Sequence, residues 1–548
     1  MNAAQYIVDS LLKHGVTDAF GIPGGAILDL LYAFDDASPK FTPHLVYHEQ
    51  DAGFAACGYA QACGRLGVAY ATKGPGFTNL ITAIAEAYYE SVPVLFITAH
   101  SSDIVRGMRT IADQEMDTCA MVEKITKCAK RLDDADTFCT DFEEVINLCL
   151  SGRKGPVLLD VSSALWKQEV VPIEWRCEKD ADFMELNYAE ITKMIYDARR
   201  PVLLAGDGIV QASAQDVFLE LVSKMDIPVI SSRATHYLIA NDAHYMGYIG
   251  SHGIRYANFV LSKADLIIAI GNRMHYPLQS KSFGLALKDT KVLRFDIDAS
   301  EFLRDVPNST TYLIDAKELM EHLLEPQWKF GNHAEWNKVC CQIKAKLVDT
   351  DTDCPVPEIV SMLRTFPANS VVICDVGNHE FMLSRASVWA NSKHRTIYSK
   401  SFGVLGNALG KAIGAYYATR QPVICFIGDQ GLQMNSQELQ YVSQHLLPIA
   451  IVIMNNEKSG MIFDHEMTRY GHAMHTDRNS GYALPIWEEI ANAYGVGYCR
   501  WCDLEFDKPV MAELKYRSEQ IPYVPLGNEC QNMYPYLPIS LYNQIRML

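Results

Sequence analysis

The chain has no run of 18 or more apolar residues, so no membrane-spanning helix is expected. The opening Met1-Asn-Ala-Ala-Gln-Tyr-Ile-Val-Asp9 lacks a basic stretch ahead of an apolar one and carries an acid early. It does not read as a secretory signal. Internal repeats and low-complexity stretches are absent, which argues against solenoids and disordered arrays. Positive charge is in deficit. The formal net charge of −17 argues against nucleic acid or an anionic membrane as partner. Local cationic groups can still attract an anionic substrate. The 15 Cys follow no disulfide-framework spacing, which suits a reducing, cytoplasmic setting. Cys499-Arg-Trp-Cys502 is a single CxxC with no second pair, weak ground for a zinc or redox role.

What the chain does have is length and ordinary composition. Its 548 residues, 49% hydrophobic and 21% charged, suit about three globular domains. The most informative stretch runs from Gly428 to Asn456. Pro422-Val-Ile-Cys-Phe-Ile427 and Pro448-Ile-Ala-Ile-Val-Ile-Met454 are short apolar runs fit for buried strands. Ser436 reads as the N-cap of a helix between them, reaching about Leu447. A right-handed crossover makes the strands parallel and brings Asp429 and Asn456 to the same carboxyl edge. A carboxylate and an amide oxygen beside a Gly-rich turn suit a phosphate-bound magnesium ion. The bland alternative is a strand–turn–helix with a solvated Asp.

Similar alternation organises the rest as α/β, with three doubly wound parallel-sheet domains. The expected N-terminal domain covers 1–165, a central domain 185–325 and a C-terminal domain 355–548. In the first, Leu45-Val-Tyr-His48 reads as a strand ending at Glu49. Charged, aperiodic residues from about Leu165 to Met184 read as a linker. A second linker follows, with Pro326, Gly331 and Asp349-Thr-Asp-Thr-Asp353. From Ile521 the residues read as a Pro-rich irregular tail.

Gly428-Asp429-Gln430-Gly431 together with Asn455-Asn456 resembles the thiamine diphosphate motif of the acetolactate synthase and pyruvate decarboxylase superfamily. Gln430 is a mild departure from the usual Gly or Ala. The resemblance runs along essentially the whole chain. It implies magnesium on Asp429, Asn456 and the carbonyl of Lys458. It also implies that Glu49, within His48-Glu-Gln-Asp-Ala52, hydrogen-bonds N1′ of the aminopyrimidine and exchanges a proton with it. A solvated surface acid is the alternative for Glu49. Val376-Gly377-Asn378-His379 resembles the segment that contacts the diphosphate, although His379 alone could be a core histidine. Within Ser401-Phe-Gly403-Val-Leu405-Gly406, Leu405 stands where the family bends the cofactor, or else packs plainly in a core. Gly460 and Met461 extend the cofactor site. Gly24-Gly25 and Gly74-Pro-Gly76 through Asn79 match glycine turns near the reacting centre, and Gln114 matches an active-site Gln. Pyruvate decarboxylases carry a His-His pair where this chain has only His100 followed by Ser101-Ser102. In the family the Glu domain of one subunit faces the diphosphate domain of another, so a homodimer or homotetramer is implied.

Acetolactate synthases also bind FAD in the central domain. Arg153, Gly206, Gly208, His252, Gly253, Arg273 and Asp296 fall at matching places. Asp207 replaces a usual glycine and would repel a pyrophosphate, so the chain is read with or without FAD. Two further departures concern the acceptor. Pro277 stands where an Arg holds the second keto acid's carboxylate, and His465 stands where a Trp shapes the acceptor pocket. Neither Pro nor a neutral His replaces an Arg fork. The expected function is a magnesium- and thiamine diphosphate-dependent carboligase or lyase that decarboxylates a 2-oxo acid such as pyruvate. Its acceptor would be an aldehyde, a ketone or a sugar nucleotide rather than a second 2-oxo acid. The alternatives are a simple decarboxylase releasing an aldehyde and a cofactor-free regulatory paralogue.

Overall fold

A computed structural model describes residues 1–101, 114–173, 185–250, 252–274, 287–347, 356–516 and 537–548. These residues fold into two compact units. One takes Met1–Asp180, Phe366–Glu380 and Arg395–Ser518, and the other takes Ala181–Thr365, Phe381–His394 and Glu519–Leu548. No helix among the described residues is long and apolar enough to cross a membrane.

The first unit holds two six-stranded sheets. The N-terminal sheet comprises β1 (Asp18–Gly21), β2 (Thr42–Leu45), β3 (Gly67–Tyr70), β4 (Val94–His100), β5 (Cys128–Leu132) and β6 (Val157–Ser162), in the order β2-β1-β3-β4-β6-β5. The second unit's sheet comprises β7 (Pro201–Ala205), β8 (Val229–Ser231), β9 (Tyr245–Tyr248), β10 (Leu266–Ile270), β11 (Lys291–Asp296) and β12 (Ser309–Leu313), in the order β12-β11-β10-β7-β8-β9. The C-terminal sheet comprises β13 (Val371–Cys374), β14 (Thr396–Tyr398), β15 (Val423–Gly428), β16 (Ile449–Asn455), β17 (Gly497–Arg500) and β18 (Val510–Lys515), in the order β14-β13-β15-β16-β18-β17. Every pairing between these strands is parallel. Parallel sheets are covered on both faces, so their central strands read as continuous apolar runs. The strands β4, β10, β15 and β16 are of this kind.

The N- and C-terminal sheets share one strand order, each reversing direction between its first and third strands. The second unit's sheet has the dinucleotide-fold order and reverses between β7 and β10. Ligands of open parallel sheets sit at the carboxyl edge where the order reverses. That rule marks three places: the loops after β1 and β3, after β7 and β10, and after β13 and β15.

Within the first unit, helix Glu49–Cys63 packs on helix Ala408–Thr419. Both are rich in small residues, and their backbones touch. A Cβ at Gly58 would lie 2.1 Å from the Lys411 carbonyl oxygen, and one at Gly414 only 1.8 Å from that of Ala55. Only glycine allows such an approach. One apolar core consequently contains side chains from both halves of the unit, among them Phe20, Phe54, Tyr59, Ile413 and Ile451.

Several boundaries differ from the sequence expectation. The strand expected over 45–48 lies earlier, at Thr42–Leu45, and Glu49 opens a helix capped by His48. Ser436 is no N-cap: the segment after Asp429 forms two short helices, Asp429–Met434 and Glu438–Gln444, the latter beginning after Gln437. The stretch read as a second linker contains helix Ala334–Lys346. Past 517–536, which lie outside the described residues, the expected irregular tail ends in helix Ile539–Met547. Its Leu541 and Ile545 join the core of the second unit with Trp336 and Val339.

Two buried acids mark the contact between the halves of the first unit. Glu438 Oε1 accepts the Tyr47 N–H at 2.8 Å, and Asp51 is fully buried close by. Burial pushes Asp51 well up, with Glu438 adding to it, and pushes Glu438 up to about 7. A folded-state value above the unfolded one means the fold favours the protonated form. Stability is therefore full below the ordinary Glu value and falls as pH rises toward about 7. Glu438→Gln keeps an acceptor for Tyr47 and removes the charge. It is expected to raise the melting temperature at pH 8 by roughly 2–4 °C, with the gain vanishing at pH 4. A melting series across that range checks it.

Candidate active site

The C-terminal sheet reverses between β13 and β15, and the two loops there meet. A Cβ on Gly428 would lie 3.4 Å from the His379 ring. Asp429 follows β15 directly and is buried. Its Oδ1 accepts the Gln430 N–H and the Tyr482 hydroxyl, each at 2.8 Å, and its Oδ2 accepts the Glu457 N–H at 3.0 Å. Asn456 follows the neighbouring β16, where Gly428 and Met454 stand opposite each other. Asp429 and Asn456 therefore lie one row apart at the same edge. Glu457 takes a left-handed backbone (φ 56°), and the Asn456 Oδ1 accepts the Lys458 N–H at 3.3 Å. Lys458 places its Nζ 3.9 Å from the centre of the Phe463 ring.

This chemistry fits a hard divalent cation carrying a phosphate. The donors are carboxylate, amide and carbonyl oxygens. Burial pushes Asp429 above the usual aspartate range in spite of its hydrogen bonds, so a cation there would relieve a desolvated charge. His379 adds a second sign. It is buried, kept neutral by burial with its value down to about 4, and its Nε2 has no hydrogen-bond partner among the described residues. In the tautomer that carries its proton on Nε2, this ring can donate to a phosphate oxygen. Asn378 donates to Asp464 Oδ2 at 2.9 Å, and Gly377 takes a positive φ of 155° against the His379 ring. Gly431 sits in the helix after Asp429, beside Gly406. Gly403 and Leu405 belong to the loop after β14, with Leu405 36% exposed. Gly460 and Met461 start helix Gly460–Arg469. Tyr482 lay beyond sequence reasoning, because nothing in Asn479-Ser-Gly-Tyr482 announces a partner 53 residues upstream.

The N-terminal sheet reverses between β1 and β3, and the loops there also meet. A Cβ at Gly24 would strike Thr72, at 2.3 Å. Glu49 is half-buried beside them, with Oε2 accepting Asn79 Nδ2 at 2.9 Å and Oε1 3.3 Å from a Cβ built on Gly76. Gln114 has a left-handed backbone (φ 58°) and packs on Gly74. Gly25 opens a short 3-10 turn with nothing within 4 Å of its missing Cβ. Glu49, Gln114 and Gly25 thus gather on one sheet edge. His100 is taken up structurally. Its Nδ1 lies 3.1 Å from Asp160 and its Nε2 2.6 Å from Asp133, and these two carboxylates raise it although burial opposes them. No described hydrogen bond or ion pair joins Glu49 to Asp429.

In the second unit, Gly206 and Gly208 follow β7 and Gly271–Arg273 follow β10, at the reversal point. Gly208 N–H donates to the Gly271 carbonyl at 3.0 Å, so these glycines serve first for close backbone packing. Asp296 ends β11, and its Oδ1 accepts the Asp298 N–H at 3.1 Å. His252 stacks on Phe381 at 3.8 Å, next to the buried Gly253. Arg153 belongs to the first unit, where its Nε donates to Ser91 Oγ at 2.8 Å. Of the acceptor-side residues, His465 is exposed on helix Gly460–Arg469, and Pro277 lies outside the described residues.

Comparison with known proteins agrees with this architecture. Family models for thiamine pyrophosphate enzymes match in chain order: the N-terminal TPP binding domain over residues 1–121, the central domain over 188–323 and the C-terminal TPP binding domain over 375–518. The sheets and their reversal-point clusters define a three-domain thiamine pyrophosphate enzyme. The acetolactate synthase large subunit of Porphyra purpurea is 32% identical over 516 residues, covering 89% of this chain and 86% of its own. The acetolactate synthase isozyme 2 large subunit of Escherichia coli (strain K12) is 31% identical, covering 90% of each chain. The acetolactate synthase large subunit of Lactococcus lactis subsp. lactis (strain IL1403) is 29% identical, covering 99% of this chain and 95% of its own. The chain belongs to the acetolactate synthase-like family of thiamine pyrophosphate enzymes.

Proposed function

We propose that this enzyme uses thiamine diphosphate and Mg2+ to decarboxylate a 2-oxo acid, with pyruvate as donor, and passes the two-carbon unit to an acceptor that is not a 2-oxo acid. The observation that carries the reading is the pair of reversal-point clusters. One presents a carboxylate, Glu49, and the other an oxygen-donor set with a buried, unpartnered histidine nitrogen. When bound, the coenzyme supplies a nucleophilic carbon and an electron sink for loss of carbon dioxide. Asp429, Asn456 Oδ1 and the Lys458 carbonyl hold the metal. His379 Nε2, the Gly377–Asn378 segment and the peptides of Gly428, Gln430 and Gly431 bind the diphosphate, with Gly460 and Met461 beyond it. Glu49, oriented by Asn79, holds and moves the proton at N1′. Leu405 would lie against the cofactor, and Gly25 with Gln114 would line the donor's side.

The family resemblance supports a site that draws Glu49 from one copy and Asp429 from a second copy, in a cytoplasmic homodimer or homotetramer. The chain is read with or without FAD; a bound flavin would be a structural ligand along the β7–β10 reversal point, where Asp207 opposes its pyrophosphate. At the acceptor position an exposed His465 offers no fixed cation to a carboxylate, which favours an aldehyde, ketone or sugar nucleotide. Mass spectrometry of products from pyruvate plus an acceptor panel tests this, with the absorbance of the purified protein reporting flavin. A ligated product that needs a non-acid acceptor is expected. Acetolactate formed from pyruvate alone at full rate overturns the acceptor assignment. Free aldehyde regardless of acceptor identifies a simple decarboxylase. Failure to bind thiamine diphosphate leaves only a regulatory paralogue.

A further inference from the structure

The loop from Ser399 to Asn407 carries Leu405 yet contains no regular structure. Its peptide groups are instead tied to side chains from elsewhere. The Ser401 and Phe402 N–H groups donate to Glu90 Oε1. The Gly403 N–H donates to Ser399 Oγ at 2.9 Å, and that hydroxyl donates to Glu86, which is paired with the buried Lys411. Gly406 is gripped from both ends. Its N–H lies 3.0 Å from each oxygen of Asp375, and its carbonyl accepts Asn435 Nδ2 at 3.1 Å. The backbone dipoles of Val376 and Asn407 also favour the charged form of Asp375. Gly431 leaves no slack behind it, since a Cβ there would sit 2.1 Å from Asp375 Oδ2. Gly403 and Gly406 are both left-handed, at φ 74° and 81°, so Leu405 lies between two fixed kinks. The result is a partly exposed aliphatic side chain on a loop with pinned backbone. Exposure forgoes part of the stabilisation that burying a Leu provides, so a ligand surface accounts for it better than packing does.

We propose that Asp375, acting with Asn435, is a positioning residue that holds the Gly406 peptide and thereby sets where Leu405 stands against the bound cofactor. The assignment rests on the reading of Leu405 given above. Asp375 also begins the turn into Gly377–His379, so one strand end serves both the diphosphate segment and the loop. Stability alone gives little reason for a carboxylate here. Burial pushes Asp375 up to about 7 in spite of the Gly406 N–H, a penalty that a neutral side chain would avoid.

Asp375→Asn tests the proposal, because it leaves one acceptor and turns an amide NH2 toward the Gly406 N–H. In the apoprotein, hydrogen–deuterium exchange of peptides covering 399–410 is expected to speed up by about tenfold or more, with β15 and β16 unchanged. With thiamine diphosphate and Mg2+ bound, the near-UV circular dichroism of the cofactor should change and kcat should fall about tenfold or more, while KM moves less than about threefold. Combined with Leu405→Ala, Asp375→Asn should add almost nothing to the loss of kcat, because both act through one side chain. Asn435→Asp, which replaces the donor to the Gly406 carbonyl, is the second variant and should loosen the same peptides. Unchanged exchange in both folded variants overturns the proposal, as does a fully multiplicative double mutant. If wild-type protein failed to bind the coenzyme, the functional reading would fall while the exchange result would still decide the Gly406 clamp.

Discussion

Glu49→Gln is expected to lower kcat by about a hundred- to ten-thousandfold, the range that a positioned proton-transfer group contributes. Affinity for thiamine diphosphate should stay within about threefold. The geometry dictates this split. Gln has the same shape, its Oε1 can still accept Asn79 Nδ2, and it fits the space beside Gly76. Helix Glu49–Cys63 starts on His48, whose Nδ1 accepts the Gln50 N–H, so its start does not depend on the carboxylate. What Gln cannot do is hold and release a proton. Calorimetric titration of the cofactor and single-turnover kinetics measure the two halves separately. Turnover equal to wild type would remove Glu49 from the chemistry. A matching loss of cofactor affinity would make it a binding residue only.

The elements that hold the proposed metal ligands were legible because their strands are buried on both faces. The runs ahead of Asp429 and Asn456 became β15 and β16. Edge strands were not legible. β5 contains Lys130 and Arg131, β17 is half exposed and β12 is Ser-Thr-Thr-Tyr-Leu; with one side facing solvent, no apolar run forms. Near Glu49 the apolar text Leu45-Val-Tyr misled, since Leu45 and Tyr47 are exposed and the strand lies earlier, at Thr42–Leu45. Helix Ala334–Lys346 was readable in principle: Trp336, Val339, Cys340 and Ile343 follow the i, i+3, i+4, i+7 pattern, but Pro326, Gly331 and the acidic run around it suggested a linker. Asp375, Asn435 and Tyr482 belong to another class. Each acts on a backbone or side-chain group far along the chain, and pairings of that kind exist only once the sheet has formed.

Asp429→Ala is expected to abolish Mg2+-dependent binding of thiamine diphosphate, raising Kd by about a hundredfold or more and taking turnover with it. Removing a carboxylate from a small set of oxygen ligands leaves a dication with too little negative charge to replace its water shell. The apoprotein should change little in stability. Alanine leaves the Tyr482 hydroxyl and the Gln430 and Glu457 N–H groups without their acceptor, a cost, but it also removes a carboxylate that burial disfavours. These contributions oppose each other. The clean signature is therefore ligand-dependent. Wild-type protein at cofactor concentrations near 100 Kd should gain about 2.7 kcal/mol of stability, visible as a higher melting temperature, and Asp429→Ala should gain almost none. Asp429→Asn separates charge from hydrogen bonding. It keeps an acceptor for Tyr482, so its apoprotein should melt like wild type and yet share the binding defect. The pH dependence has a definite sign. Metal needs the ionised carboxylate, and burial holds Asp429 above the ordinary aspartate range. Magnesium-dependent affinity should then begin to fall at a higher pH than a solvated aspartate would allow, and that step should be missing in Asp429→Asn. A full Mg2+-dependent melting shift in Asp429→Ala would mean that the cation, if it binds, is held elsewhere.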